Sequence, residues 1–127
     1  MAKVEYSFSA CHFIPMLHKC SRMHGHRYRL VVHTDVPENL DAVQRVVAQL
    51  DGKVLAPEAL CRREGDKVVV SFEDGEYHIP AEHIFMLPSP NATAECIASH
   101  IARGLRPPYR VMLFEGPRQA AVVEEGP

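Results

Sequence analysis

Eight of the 127 residues are histidine, and four of them (His12, His18, His24 and His26) fall within a span of fifteen. Imidazole either ligates metal or moves protons near neutral pH. His24 and His26 stand two residues apart in His24-Gly25-His26. On a strand that spacing sends both rings to the same face, where they can share one ion. His12 follows a strand-like segment and joins them if that segment pairs with the one starting at His24. Three neutral imidazoles with an open fourth position make a catalytic zinc site, in which the ion polarises a substrate oxygen. The plainer reading is a pair of surface histidines, and spacing alone leaves both open.

The elements that must position these rings can be read from periodicity. Val4, Tyr6 and Phe8 alternate with Lys3, Glu5, Ser7 and Ser9, the pattern of a half-buried strand over 3–9. Residues 26–34 alternate again, with Tyr28, Leu30 and Val32 on one face. A long turn-rich stretch joins the two, and loops of more than about 12 residues without structure of their own are usually functional. Pro37 starts a helix carrying Leu40, Val43, Val47 and Leu50 at helical spacing, which Gly52 ends. Residues 56–66 read as irregular. Val68–Phe72 and Glu76–Ile79, around Glu73-Asp74-Gly75, read as a hairpin. Ala94, Ile97, Ala98, Ile101 and Leu105 mark a second helix, with Glu95 near its positive end. Tyr109–Glu115 and Gln119–Glu124 form a closing hairpin around Gly116-Pro117-Arg118.

Strands that follow one another in sequence predict an antiparallel sheet of four strands with two helices on one face and a small inserted hairpin, an α+β fold over 1–127. The sheet's second face has no layer of its own to cover it, and self-association is the simplest cover.

Sixteen acidic and fourteen basic side chains leave a net charge of −2, which argues against a general electrostatic nucleic-acid binder. A composition 46% hydrophobic and 24% charged is that of a soluble globular protein. No apolar run reaches the roughly 20 residues that span a bilayer. An acidic residue, Glu5, precedes any apolar run, so no signal peptide is expected and the cytoplasm is the expected compartment. The cysteines (Cys11, Cys20, Cys61 and Cys96) form no CxxC pair and read as reduced thiols.

Phe8-Ser9-Ala10-Cys11-His12, followed by Cys20-Ser21-Arg22-Met23-His24-Gly25-His26-Arg27-Tyr28, resembles the 6-pyruvoyl-tetrahydropterin synthase family. That family includes the 6-carboxy-tetrahydropterin synthases of 7-deazaguanine synthesis. Its pattern F-S-A-x-H, then C-x-x-x-H-G-H-x-Y, matches at every defined position. Asn91-Ala92-Thr93-Ala94-Glu95 is similar to the family's N-P-T-A-E helix start, and Glu115 sits where the family carries a pterin-anchoring glutamate. The resemblance implies a tunnelling fold (T-fold), in which sheets of several subunits close into a barrel. It also implies active sites at the interfaces of a homo-oligomer, a trimer or a hexamer of two trimers.

Carried over by position, the resemblance makes His12, His24 and His26 ligands of Zn2+, which would acidify C–H bonds beside the substrate's hydroxyl oxygens. Cys20 becomes the proton-moving thiolate, its pKa depressed by the metal and by Lys19 and Arg22; taken alone it reads first as a buried inert thiol. Glu115 becomes the partner of the pterin's ring N–H and amine, since a carboxylate offers two acceptors in one plane. Without the family it reads equally as a solvated charge at a strand end. Thr93 either lines the pocket or caps the second helix.

One departure weighs against these matches. The family's relay segment L-D-H reads Leu50-Asp51-Gly52 here: the orienting aspartate is present and the proton-shuttling histidine is not. General acid–base help is worth about 10²–10⁴-fold in rate. His18, His78 or His83 could stand in for it. The family's D-F segment before the first helix is likewise replaced by Asp35-Val36-Pro37-Glu38-Asn39. The expected function is therefore a zinc-dependent lyase acting on 7,8-dihydroneopterin triphosphate or a related dihydropterin. The alternative is a pterin-binding homologue with lost or altered activity.

Overall fold

The computed structural model describes residues 2–12, 24–72 and 75–127, with the backbone alone described for His24. Nine strands and two α-helices follow one another among the described residues: β1 (Ala2–His12), β2 (His24–Thr34), α1 (Pro37–Leu50), β3 (Lys53–Pro57), β4 (Cys61–Glu64), β5 (Lys67–Phe72), β6 (Gly75–Pro80), β7 (Ile84–Leu87), α2 (Ala94–Arg103), β8 (Tyr109–Gly116) and β9 (Gln119–Glu125). The main sheet runs β7-β3-β1-β2-β8-β9, and β4-β5-β6 form a separate small sheet.

The four antiparallel strands expected from alternation are β1, β2, β8 and β9, side by side. Two short strands extend the sheet beyond them: β3 pairs in parallel with the end of β1, and β7 in parallel with β3. Neither shows alternation over enough residues to be read as a strand. The stretch 56–66 is also more ordered than its composition suggests, holding the end of β3, a 3-10 turn at Glu58–Leu60 and β4. β4 is Cys61-Arg62-Arg63-Glu64, mostly exposed, and it is held by main-chain pairing to the buried valines of β5 rather than by apolar side chains of its own. The insertion is thus a three-stranded sheet rather than a hairpin.

β1 and β2 pair residue for residue from Ala2 with Thr34 to His12 with His24. Period two then places Phe8, Ala10, Tyr28, Leu30 and Val32 together on the face that the helices cover. There they meet Val43 and Leu50 of α1, Ile97 and Ile101 of α2, and Val111 and Leu113 of β8. Phe8 and Tyr28 stack with ring centroids 5.1 Å apart. Truncating such a buried aromatic costs about 3–5 kcal/mol.

The start of α1 is fixed by a polar clamp. Buried Asn39 donates from Nδ2 to Thr34 Oγ1 (2.8 Å) and to the Arg106 carbonyl (2.9 Å), while its Oδ1 accepts from the Arg106 amide (3.0 Å). The end of α1 is tied to β1: the Ser9 amide donates to Asp51 Oδ1 (3.0 Å), and the Gly52 amide to the Ser9 carbonyl (2.7 Å). Gly52 turns the chain into β3 at φ +75°, a left-handed conformation that glycine adopts without cost.

Candidate metal centre

His12 is the last residue of β1 and is 1% exposed, deep enough that its ring polarity must be matched by partners. Its Nδ1 lies 2.9 Å from the carbonyl oxygen of Ala92, just before α2. A carbonyl can only accept, so Nδ1 carries the proton and Nε2 the lone pair. Fixing the tautomer through a backbone carbonyl is how metal-binding histidines are commonly oriented. Ala92 is itself held in place by the helix start that follows it, where Thr93 Oγ1 accepts from the Cys96 amide (3.2 Å) as the N-cap of α2.

Pairing of Ala10 with His26 puts the second imidazole on the same sheet face. The rings of His12 and His26 meet edge to face, centroids 4.8 Å apart. His24 is paired with His12 at the end of the ladder, so strand register places its backbone beside the same ring. Glu115, near the end of β8, completes a group in which one ligand atom from each of His12, His26 and Glu115 lies within 4.8 Å of the others. Glu115 Oε1 stands 3.9 Å from His12 Nδ1. That nitrogen already donates to the Ala92 carbonyl, so the carboxylate stands 3.9 Å from the protonated nitrogen of the ring.

Tyr28 closes the group from below. Its hydroxyl is 3.2 Å from His12 Nδ1, and its ring lies 5.6 Å from that of His26 and 6.2 Å from that of His12. Burial first, then the charges of Glu115 and Cys11, hold the phenol well above its usual pKa, so it stays neutral. The donor set suits zinc: two described imidazoles, a third at the adjoining register position, and a carboxylate nearby.

The remaining sequence candidates separate. Cys20 and His18 lie outside the described residues. Asp51 is bound to the Ser9 amide and is not a member of the His12–His26–Glu115 group. His78 belongs to an ion network on the small sheet, with Nε2 3.0 Å from Glu76 Oε1 and Nδ1 2.9 Å from Lys67 Nζ. His83 shares with Gly52, His26 and Cys11 the wall of a cavity of about 580 Å³. Cys61 is a resting thiol; burial and then Glu58 push its pKa up to about 11, and Sγ donates to the Pro57 carbonyl. Sequence reasoning left Tyr28 in the core and missed Ala92. The one available signal was that Tyr28 continues the period-two row of His24 and His26.

The model of the family described as "6-pyruvoyl tetrahydropterin synthase" matches residues 2–126. The chain belongs to this family. Two curated relatives are each called "Putative 6-carboxy-5,6,7,8-tetrahydropterin synthase". That of Pyrococcus abyssi is 28% identical, and that of Pyrococcus horikoshii 24%, each match covering 91% of this chain and 84% of the relative. The 6-pyruvoyl tetrahydropterin synthase of Plasmodium vivax superposes with a TM-score of 0.76 at 21% identity, covering 99% of this chain and 98% of its own. That of Plasmodium falciparum gives 0.76 at 20% over the same shares. The two structures agree with the T-fold expected of the family, a curled sheet backed by two helices.

Proposed function

We propose that this member of the family is a zinc-dependent lyase acting on 7,8-dihydroneopterin triphosphate or a related dihydropterin, with 6-pyruvoyl- or 6-carboxy-tetrahydropterin synthase-like chemistry. Family membership and the two Pyrococcus relatives support a lyase-type enzyme. The observation that carries the zinc and substrate assignments is the convergence of His12, His26 and Glu115 at one end of the sheet. A zinc ion held by His12, His24 and His26 would supply Lewis-acid polarisation of the substrate's side-chain oxygens.

The chain's own residues do the rest. Glu115, 3.9 Å from the protonated nitrogen of His12, offers two in-plane acceptors to a pterin's ring N–H and amine. Thr93 acts by capping α2 and so fixing the carbonyl that orients His12. Cys20 is assigned the proton transfer as a thiolate. Asp51 holds the turn that carries Gly52, and His83, in the same cavity wall, takes the place of the missing shuttle. The assembly proposed is a trimer or hexamer with active sites between subunits, and the protein is assigned to the cytoplasm. Among the described residues no helix is long and apolar enough to cross a membrane.

A second reading, a pterin binder with lost or altered activity, is favoured by Gly52 alone. Product analysis by mass spectrometry on the zinc-loaded chain and 7,8-dihydroneopterin triphosphate separates the two. Steady loss of triphosphate, with a product of pyruvoyl or carboxy mass, supports the lyase; bound but unchanged substrate supports the binder.

A further inference from the structure

We infer that Tyr28 is a positioning residue of the metal centre, its hydroxyl holding His12 in ligating orientation as a second acceptor for the Nδ1 proton. The inference rests on the metal reading above and extends it to a residue that packing alone would place in the core.

Among the described residues, Nδ1 of His12 lies within hydrogen-bond distance of the Ala92 carbonyl (2.9 Å) and the Tyr28 hydroxyl (3.2 Å). The carbonyl has no proton to give, so the nitrogen is the donor and its single N–H is shared between the two oxygens. The phenol oxygen is therefore an acceptor here. Its own proton is left for a partner other than His12, and the Glu115 carboxylate stands 3.9 Å from that nitrogen.

Each acceptor restrains a different motion of the ring. Ala92 comes just before α2 and Tyr28 lies on β2, so the imidazole is held between two different segments of one core. Tyr28 is itself immobile: it is fully buried, stacked on Phe8 at 5.1 Å with an 18° interplanar angle, and two residues along the strand from His26. A phenylalanine would fill the same space and keep the stack. The hydroxyl, by contrast, is polar in a buried place, where it costs stability unless it is bonded. Partners of this kind behind a ligating histidine are worth about 10–100-fold in metal affinity.

The test is Tyr28→Phe in the full chain, with zinc affinity measured by competition against a chromophoric chelator and the cobalt(II) derivative examined by visible absorption. Zinc affinity is expected to fall on the order of tenfold, with a changed cobalt d–d band. A purely structural role would move the unfolding midpoint and leave both of these alone, so unchanged affinity and an unchanged cobalt spectrum overturn the inference. Thr93→Ala, which loosens the Ala92 side of the same ring, is expected to shift the cobalt band as well. A wild-type chain that takes up no metal overturns the metal reading and this inference together; tight binding that is indifferent to the hydroxyl overturns this inference alone.

Discussion

His12 and Ala92 are 80 residues apart in the chain, yet the imidazole Nδ1 of one lies 2.9 Å from the carbonyl oxygen of the other. This contact joins the end of the first strand to the start of the second helix and leaves the lone pair of His12 on Nε2. It also makes the centre sensitive to changes that touch no ligand.

The proposed role of Glu115 is to hold substrate, although its carboxylate also lies within 4.8 Å of the ligand atoms of His12 and His26. Glu115→Ala should weaken dihydropterin binding by at least about tenfold, the loss of two charge-assisted hydrogen bonds, while zinc content stays at the wild-type level. Calorimetry with 7,8-dihydroneopterin, paired with metal analysis, reads both. Loss of zinc in this variant would make the carboxylate a ligand instead.

Gly52 has room for a side chain but not the conformation for one. Among the described residues nothing lies within 4 Å of a Cβ added there, yet φ is +75°. Gly52→His should therefore cost about 1–2 kcal/mol of stability, seen as a lowered urea midpoint. With His83 proposed in place of the missing shuttle histidine, His83→Ala should slow turnover by about a hundredfold. Undiminished turnover in that variant would remove His83 from the chemistry.

How far the sequence could be read follows from the range of each signal. Strand alternation is local, so Phe8, Tyr28, Leu30 and Val32 announce their burial, and the period of two puts His24 and His26 on one face. Joining His12 to them needed only the guess that two neighbouring strands pair. Ala92 and Asn39 act across 80 and 67 residues, through a carbonyl in one case and a side-chain amide in the other, and neither leaves a periodic trace. The short parallel strands β3 and β7 were missed for a related reason, because their partners are set by topology rather than by their own residues. Asp51 reads as the orienting aspartate of a relay from its place in a motif, and its hydrogen bond from the Ser9 amide, 42 residues away, leaves no trace in that motif.

His100 gives a pH prediction independent of the metal centre. Its Nδ1 is buried without a hydrogen bond among the described residues, and its ring packs 5.2 Å from that of Phe85. Burial, and then the nearby Arg103 charge, lower its pKa, so the folded state binds a proton less readily than the unfolded chain. Stability is then unaffected well above the unfolded value of about 6.5 and falls as pH drops through it. His100→Gln should flatten that fall in denaturant titrations at pH 7.5 and 5.5. Equal slopes for wild type and variant would contradict it.

His12, His24 and His26 are proposed to hold a zinc ion at the mouth of a pterin site. Metal content per chain, measured after zinc loading and exhaustive dialysis of wild type, His24→Ala and His26→Ala, tests it most directly. About one zinc per wild-type chain is expected, and less than about a tenth of that in either variant. A wild type that retains no zinc, or a variant that stays fully loaded, would contradict it.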